Sequence, residues 1–228
     1  MSTKTEVSPN VHAALDLIAA LEPGERREMH HVSWNDYEEL LNELDSKNAV
    51  RISYAEGTLE LMAPLLKHER HKDILRSIVE FATLQAGINC EPAGSTTFKR
   101  PDLLRGAEPD TCFYIQHADV LIGKDDIDLS TDPPPDLVVE VDITSPSKRK
   151  LGIYARLGVP ELWIWTGAQL HIYELGRGSY AERPNSIALP FLSAETLTSF
   201  VEQRITEGHK RTVIAFQEWL RIHQPAAQ

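Results

Sequence analysis

One segment constrains the fold of this chain more than any other: the run Pro134-Pro135-Asp136-Leu137-Val138-Val139-Glu140-Val141-Asp142. Leu137, Val138, Val139 and Val141 put apolar side chains on both alternating faces, the pattern of a strand covered on both sides. The run predicts a central strand over 136–142, and the prolines before it cannot enter a hydrogen-bonded ladder. Glu140 and Asp142 stand at its far end and point to the same side, because strand side chains alternate with period two. Taking carboxylates out of water at the mouth of a buried strand is costly unless positive charge meets them there. Lys148-Arg149-Lys150 follows at the start of a predicted helix, 147–157, so a divalent metal, a lysine or both would meet that demand.

The elements around this strand predict the architecture. Apolar residues recur at helical spacing over 11–21, and Ser33 caps a second helix over 34–44. The alternating runs 50–54 and 58–62 flank Glu56-Gly57 and form a hairpin. A long helix opens at Pro64 and runs to about Gly87, and strand-like runs follow at 88–91, 95–99 and 109–115. A second hairpin joins 160–165 to 169–173 around Thr166-Gly167. Residues 176–186 read as a polar loop, 187–201 as a short strand and turn, and 212–223 as a last helix with Val213, Phe216, Trp219 and Leu220 on one stripe. This order predicts an α/β (α+β) fold, one mixed central sheet flanked by helices.

Composition narrows the functions available. With 228 residues and 42% hydrophobic content, the chain has enough apolar material for one well-packed domain. Its formal net charge of -11 gives no general grip on nucleic acid, so any such role rests on local basic patches or bound metal. Cys90 and Cys112 make neither a CxxC nor a zinc spacing, and free thiols in a reducing cytoplasm are expected. No apolar run reaches membrane-spanning length, so a soluble cytoplasmic protein is expected.

Asp110, in Glu108-Pro109-Asp110, sits at the start of a strand and comes beside Glu140 if the two strands are neighbours. Two carboxylates with backbone oxygens suit a hard ion such as Mg²⁺. Lys150, just inside the following helix, can lean back over the same strand end and orient a metal-bound water. The same residues also fit a strand-end ion pair with no catalytic role. Asp142 is either a further ligand or a cap for the turn with Thr144 and Ser145. His68-Glu69-Arg70-His71 is not HExxH, so a zinc-protease reading fails and the histidines are expected on a solvated helix face. Glu69, in a first helical turn, can aim at the sheet end as an additional ligand. Lys67, Lys72, Arg76, Lys99 and Arg100 are local basic spots that suit either a phosphate-facing rim or ordinary surface. Trp163 and Trp165 are expected in a core or dimer contact rather than as base-stacking platforms.

The ordered segments GTLELMAP (57–64), HE (68–69), GSTTFKR (94–100), GAEPDTCFYI (106–115), DPPPDLVVEVDITSPS (132–147) and YARLGVPELWIW (154–165) carry a family resemblance. Over about residues 30–200 the chain resembles the Uma-two family, restriction-endonuclease-like proteins of the PD-(D/E)XK nuclease superfamily. The resemblance implies a restriction-endonuclease-like domain over 30–202, between N-terminal (1–29) and C-terminal (203–228) helical extensions. It implies Mg²⁺, with Mn²⁺ as substitute, held by Asp110, Glu140 and the Val141 carbonyl, with Glu69 at a position where some members place another acidic ligand. Asp142 stands where the pattern usually has lysine; Lys150 takes the lysine role from the next helix, with Lys148 as the fallback. The implied activity is hydrolysis of phosphodiesters in DNA by a homodimer. The alternative is a nuclease fold that binds nucleic acid, or serves in an assembly, without cutting.

Overall fold

The computed structural model describes residues 7–44, 50–143 and 148–223, with the Lys148 side chain outside that description. Two sheets form. The first holds β1 (Arg26–His30), β2 (Arg51–Ala55), β3 (Thr58–Met62), β5 (Phe98–Arg100) and β6 (Arg105–Ala107), in the antiparallel order β1-β3-β2-β6-β5. The second holds β4 (Glu91–Gly94), β7 (Thr111–Tyr114), β8 (Leu137–Val141), β9 (Glu161–Trp165), β10 (Leu170–Gly176) and β11 (Ser179–Arg183), in the order β11-β10-β9-β8-β7-β4. Only its β8–β9 pair is parallel, so it is the mixed sheet. The mixed central sheet expected from sequence is the second one, and the β2–β3 hairpin pairs with β1 and β6 in a further sheet and does not join β8. That hairpin closes on Glu56 (φ 45°) and Gly57 (φ 85°), the two left-handed residues its tight turn requires.

Six helices pack on these sheets: α1 (Pro9–Ala20), α2 (Trp34–Glu43), α3 (Leu66–Ala86), α4 (Lys148–Leu157), α5 (Ala194–Glu207) and α6 (His209–His223). Helix α5 replaces the strand and turn expected near 187–201. Leu197, Phe200, Val201 and Arg204 recur at helical spacing on its buried side. Strand β11 replaces part of the expected polar loop. It pairs with β10 as an edge strand, and its largely exposed side chains give no apolar alternation to read.

Alternation along β8 decides what each face of the mixed sheet meets. Leu137, Val139 and Val141 join α3, α5 and α6 in one core, where Trp163, Trp165, Phe216 and Leu220 are buried. Val138 faces the other way, into a core with Ile153, Tyr154 and Leu157 of α4 and with Phe98 and Ala107 of the first sheet. Helix α4 therefore lies between the two sheets, and Glu140, in phase with Val138, is directed toward it. A third core joins α1 and α2 to the first sheet through Val11, Ala14, Tyr37, Leu40, Tyr54 and Leu59. Among the described residues, no helix is long and apolar enough to cross a membrane.

Candidate functional site

Strands β7 and β8 run antiparallel with Thr111 opposite Val139, and the same register carries Asp110 opposite Glu140. Asp110 is fixed there by its own backbone neighbour: Oδ2 accepts a hydrogen bond from Val141 N–H at 2.7 Å. The N–H and C=O of one strand residue lie along the same edge, so the Val141 carbonyl is on the Asp110 side. Asp110 Oδ1 faces Arg51 Nε at 3.6 Å, an ion pair beyond hydrogen-bond range.

Glu140, 1% exposed, is met from α4. Lys150 Nζ donates to its Oε2 at 2.7 Å, and the Tyr154 hydroxyl donates to its Oε1 at 2.5 Å. Residues 150 and 154 are four apart and so share one helix face. Burial pushes the Glu140 carboxyl up to about 7; the Asp110 carboxylate adds to the rise, and Lys150 opposes it. Burial alone would lower the Lys150 ammonium, but the Glu140 and Asp110 carboxylates outweigh it and hold the lysine above its ordinary value. The Tyr154 phenol is held well above its usual range by burial and by Glu140, so it remains a donor.

The structure thus brings together Asp110, Glu140, Lys150 and Val141, which sequence reasoning had associated across three segments. The other candidates have further partners, and Glu69 shares Arg51 with Asp110. Asp142 Oδ1 meets Arg26 Nη2 at 3.5 Å, and the Thr144 and Ser145 side of its expected cap lies outside the described residues. Glu69 pairs with Lys72 and lies 3.7 Å from Arg51 Nη2. The fallback lysine, Lys148, also lies outside the described side chains.

His68 and His71 are not on a solvated face; both are buried, at 4% and 9% exposure. His68 Nδ1 accepts from Leu65 N–H at 2.8 Å and so closes the first turn of α3, which requires its proton to sit on Nε2. Burial lowers its affinity for a second proton, against the pull of Asp110 and Asp142. His71 packs on Trp165 with ring centroids 5.6 Å apart and planes tilted by 41°, and burial with nearby Arg204 holds it down to about 4.

Sequence reasoning missed Arg26, Arg51 and the role of Tyr154. The two arginines stand on β1 and β2, both in register with Met62 of β3, and reach the carboxylates across the gap between the sheets. Arg26 also lies 3.7 Å from the buried Glu60 of β3. No local pattern marks such contacts. Tyr154 did carry a signal, its four-residue spacing from Lys150.

The donor set is all oxygen and suits a hard divalent ion. Among the described residues Asp110 Oδ1 meets Arg51 at ion-pair distance and accepts no hydrogen bond, and Glu140 and the Val141 carbonyl lie beside it. Among the described residues, no group of three or more His, Cys, Asp or Glu is close enough to hold an ion by itself. Two carboxylates and one carbonyl would hold a hard ion only with further ligands such as water.

Comparison with known proteins bears on the fold and the family. A crystal structure described as a "putative nuclease belonging to DUF820", from Anabaena variabilis, superposes with a TM-score of 0.51 at 14% identity, covering 72% of this chain and 97% of that one. No curated protein matches the chain. The family model described as "Uma2: Putative restriction endonuclease" matches residues 34–205, which contain Asp110, Glu140, Val141 and Lys150. On that match the chain belongs to the Uma2 family, with the nuclease fold of its structural neighbour.

Proposed function

We propose that the protein is a Mg²⁺-dependent endonuclease that hydrolyses phosphodiester bonds in DNA, with Mn²⁺ able to replace Mg²⁺. The observation that carries this reading is the buried convergence of Asp110, Glu140 and Lys150 at one strand end, with Lys150 Nζ 2.7 Å from Glu140. Asp110, Glu140 and the Val141 carbonyl would hold the ion. When bound, it polarises the scissile phosphate and lowers the pKa of a water.

The chain's own residues supply the rest. Lys150 stays charged beside Glu140, so it orients the attacking water and steadies charge on the phosphate. Tyr154 holds Glu140 in place and shifts it toward its ionised form. Arg26 and Arg51 offset the repulsion that Asp142 and Asp110 would exert on an incoming phosphate. A homodimer would supply one such site for each strand.

The test is cleavage of supercoiled, linear and single-stranded DNA, and of RNA, in Mg²⁺, Mn²⁺ or EDTA. Cutting is expected with either metal, absent in EDTA, and lost in Asp110→Ala and Glu140→Ala. No metal-dependent cutting on any of these substrates would sink the proposal. The second reading, a nuclease fold that binds without cutting, draws on the occupation of both Glu140 oxygens by Lys150 and Tyr154. DNA binding that ignores Mg²⁺ and survives Asp110→Ala, without cleavage, would favour it.

A further inference from the structure

At one arginine-lined cavity, carboxylates meet two of the three arginines. Along α4 a cavity of about 470 Å³ is lined by Arg105, Arg149 and Arg156, but Arg105 pairs with Glu56 at 2.8 Å and Arg149 with Glu28 at 3.2 Å. Four of the five basic spots read from the sequence are likewise paired: Lys99 with Glu38, Arg100 with Asp102, Arg76 with Glu80 and Lys72 with Glu69.

A second cavity, of about 250 Å³, differs. It lies between the first turns of α3 and the end of α5 and is lined by Lys67, Arg70, His71, Arg204 and Ile205, with no carboxylate among them. Arg204 is 8% exposed, makes no ion pair among the described residues, and its Nε has no hydrogen-bond partner. The His71 Nδ1 beside it is also without a partner. Burial and Arg70 depress even the arginine, and Asp73 opposes them only from beyond ion-pair reach. An unpaired buried guanidinium is costly, so this arrangement calls for an anion.

The cavity adjoins the candidate site. His71 packs on Trp165, whose carbonyl accepts the Asp142 N–H at 2.8 Å, and His68, one turn back on α3, feels both Asp110 and Asp142.

We propose that Lys67, Arg70, His71 and Arg204 form an anion site for a backbone phosphate of the nucleic acid, next along the strand from the phosphate at Asp110 and Glu140. The proposal rests on the endonuclease reading and deepens it, since it supplies a local basic contact on a chain whose net charge is -11.

Two measurements in EDTA test it. The first is the affinity of a short DNA duplex, by fluorescence anisotropy over a salt series, for the wild type, Lys67→Ala/Arg70→Ala and Arg204→Gln. The exposed double variant keeps the test valid if Arg204→Gln fails to fold. The double variant is expected to bind about tenfold more weakly, with the slope of log affinity against log salt reduced by about 1. The second is the melting temperature in inorganic phosphate against chloride of equal ionic strength. A rise is expected in the wild type, lost in the variants and suppressed once DNA saturates the protein.

Wild-type affinity and slope in the double variant would overturn the proposal. A phosphate-induced rise that DNA leaves intact would also overturn it, by showing a free-phosphate site. The endonuclease reading fails separately: a protein that never cuts, but whose DNA binding needs this cavity, loses the nuclease and keeps the anion site. One that cuts and binds normally without these residues does the reverse.

Discussion

Two glutamates are buried in neighbouring parallel strands, Glu140 near the end of β8 and Glu161 at the start of β9, each 1% exposed. Burial pushes both carboxyls upward, and the protein answers the two costs differently. Glu161 is surrounded by neutral donors: Trp163 Nε1 at 2.6 Å, Ile187 N–H at 2.9 Å and Ala188 N–H at 2.8 Å. Those donors belong to the frame, and the glutamate ties the segment after β11 to the sheet. Glu140 instead meets a lysine and a phenol from α4, with a second carboxylate, Asp110, across the ladder. A charged side-chain partner can give way to another cation; a backbone N–H cannot. The difference separates a carboxylate held by the frame from one whose partners can exchange, although residue type and burial are the same.

The sharpest way to break this comparison is to remove charge from Glu140 while keeping its shape. Glu140→Gln should reduce metal-dependent cutting by at least about a hundredfold, in line with loss of an acid–base or ligand group, with circular dichroism unchanged. Asp110→Ala and Lys150→Ala should lose as much. An active Glu140→Gln variant would place Glu140 with Glu161, as a structural residue.

The reverse experiment is Glu161→Ala. It leaves the Trp163 indole and two backbone N–H groups unpaired in the interior, at about 1–3 kcal/mol for each unsatisfied group. A stability loss of roughly 3 kcal/mol or more is expected in denaturant unfolding, with unchanged cleavage per folded molecule. A selective loss of cleavage would mean that the two strands share one functional unit.

Much of this contrast was legible beforehand, and its limits were physical. Glu140 was readable because an apolar run without polar neighbours ends in it, and Asp110 because it opens the next readable strand. Glu161 offered no such warning: it follows Pro160 as an ordinary strand-start residue, and its donors come from residues 187 and 188. Arg26 escaped for a related reason. Its strand, Arg-Arg-Glu-Met-His, lies at an edge of the first sheet and shows no alternation, and its partner Asp142 is 116 residues away. The further sheet was hidden because hairpins are local signals, whereas the choice of which sheet a hairpin joins is a long-range one. Helix α5 was different: its spacing was present in the sequence, and the β-branched residues Thr196, Thr198 and Val201 obscured it.

A smaller effect should come from Tyr154→Phe. The phenol donates to Glu140 and favours its ionised form, so its loss should raise the Glu140 pKa further. Cutting at neutral pH is expected to fall about tenfold, equivalent to about 1.4 kcal/mol, and the acidic limb of the pH–rate profile should move to higher pH. An unchanged profile would assign Tyr154 to packing alone.

The smallest effect concerns stability against pH in EDTA. The folded protein holds a proton on Glu140 up to about 7, whereas the ordinary glutamate value is 4.5. Between those values the folded state binds more protons than the unfolded state, and stability falls wherever that is so as pH rises. Glu140 therefore contributes stability below 4.5 that is lost as pH climbs through about 7. His71 acts in the opposite sense over part of the same range. Held down to about 4, it resists a proton that the unfolded chain accepts near 6.5, so its contribution is present above 6.5 and declines toward 4. The two slopes partly cancel, and the wild-type profile should be shallow. Glu140→Gln removes the first slope and leaves the second, so its melting temperature should rise relative to the wild type as pH increases from 4.5 to 7. A constant difference between the two across that window would show that Glu140 titrates alike folded and unfolded, and that Lys150 and Tyr154 fully offset its burial.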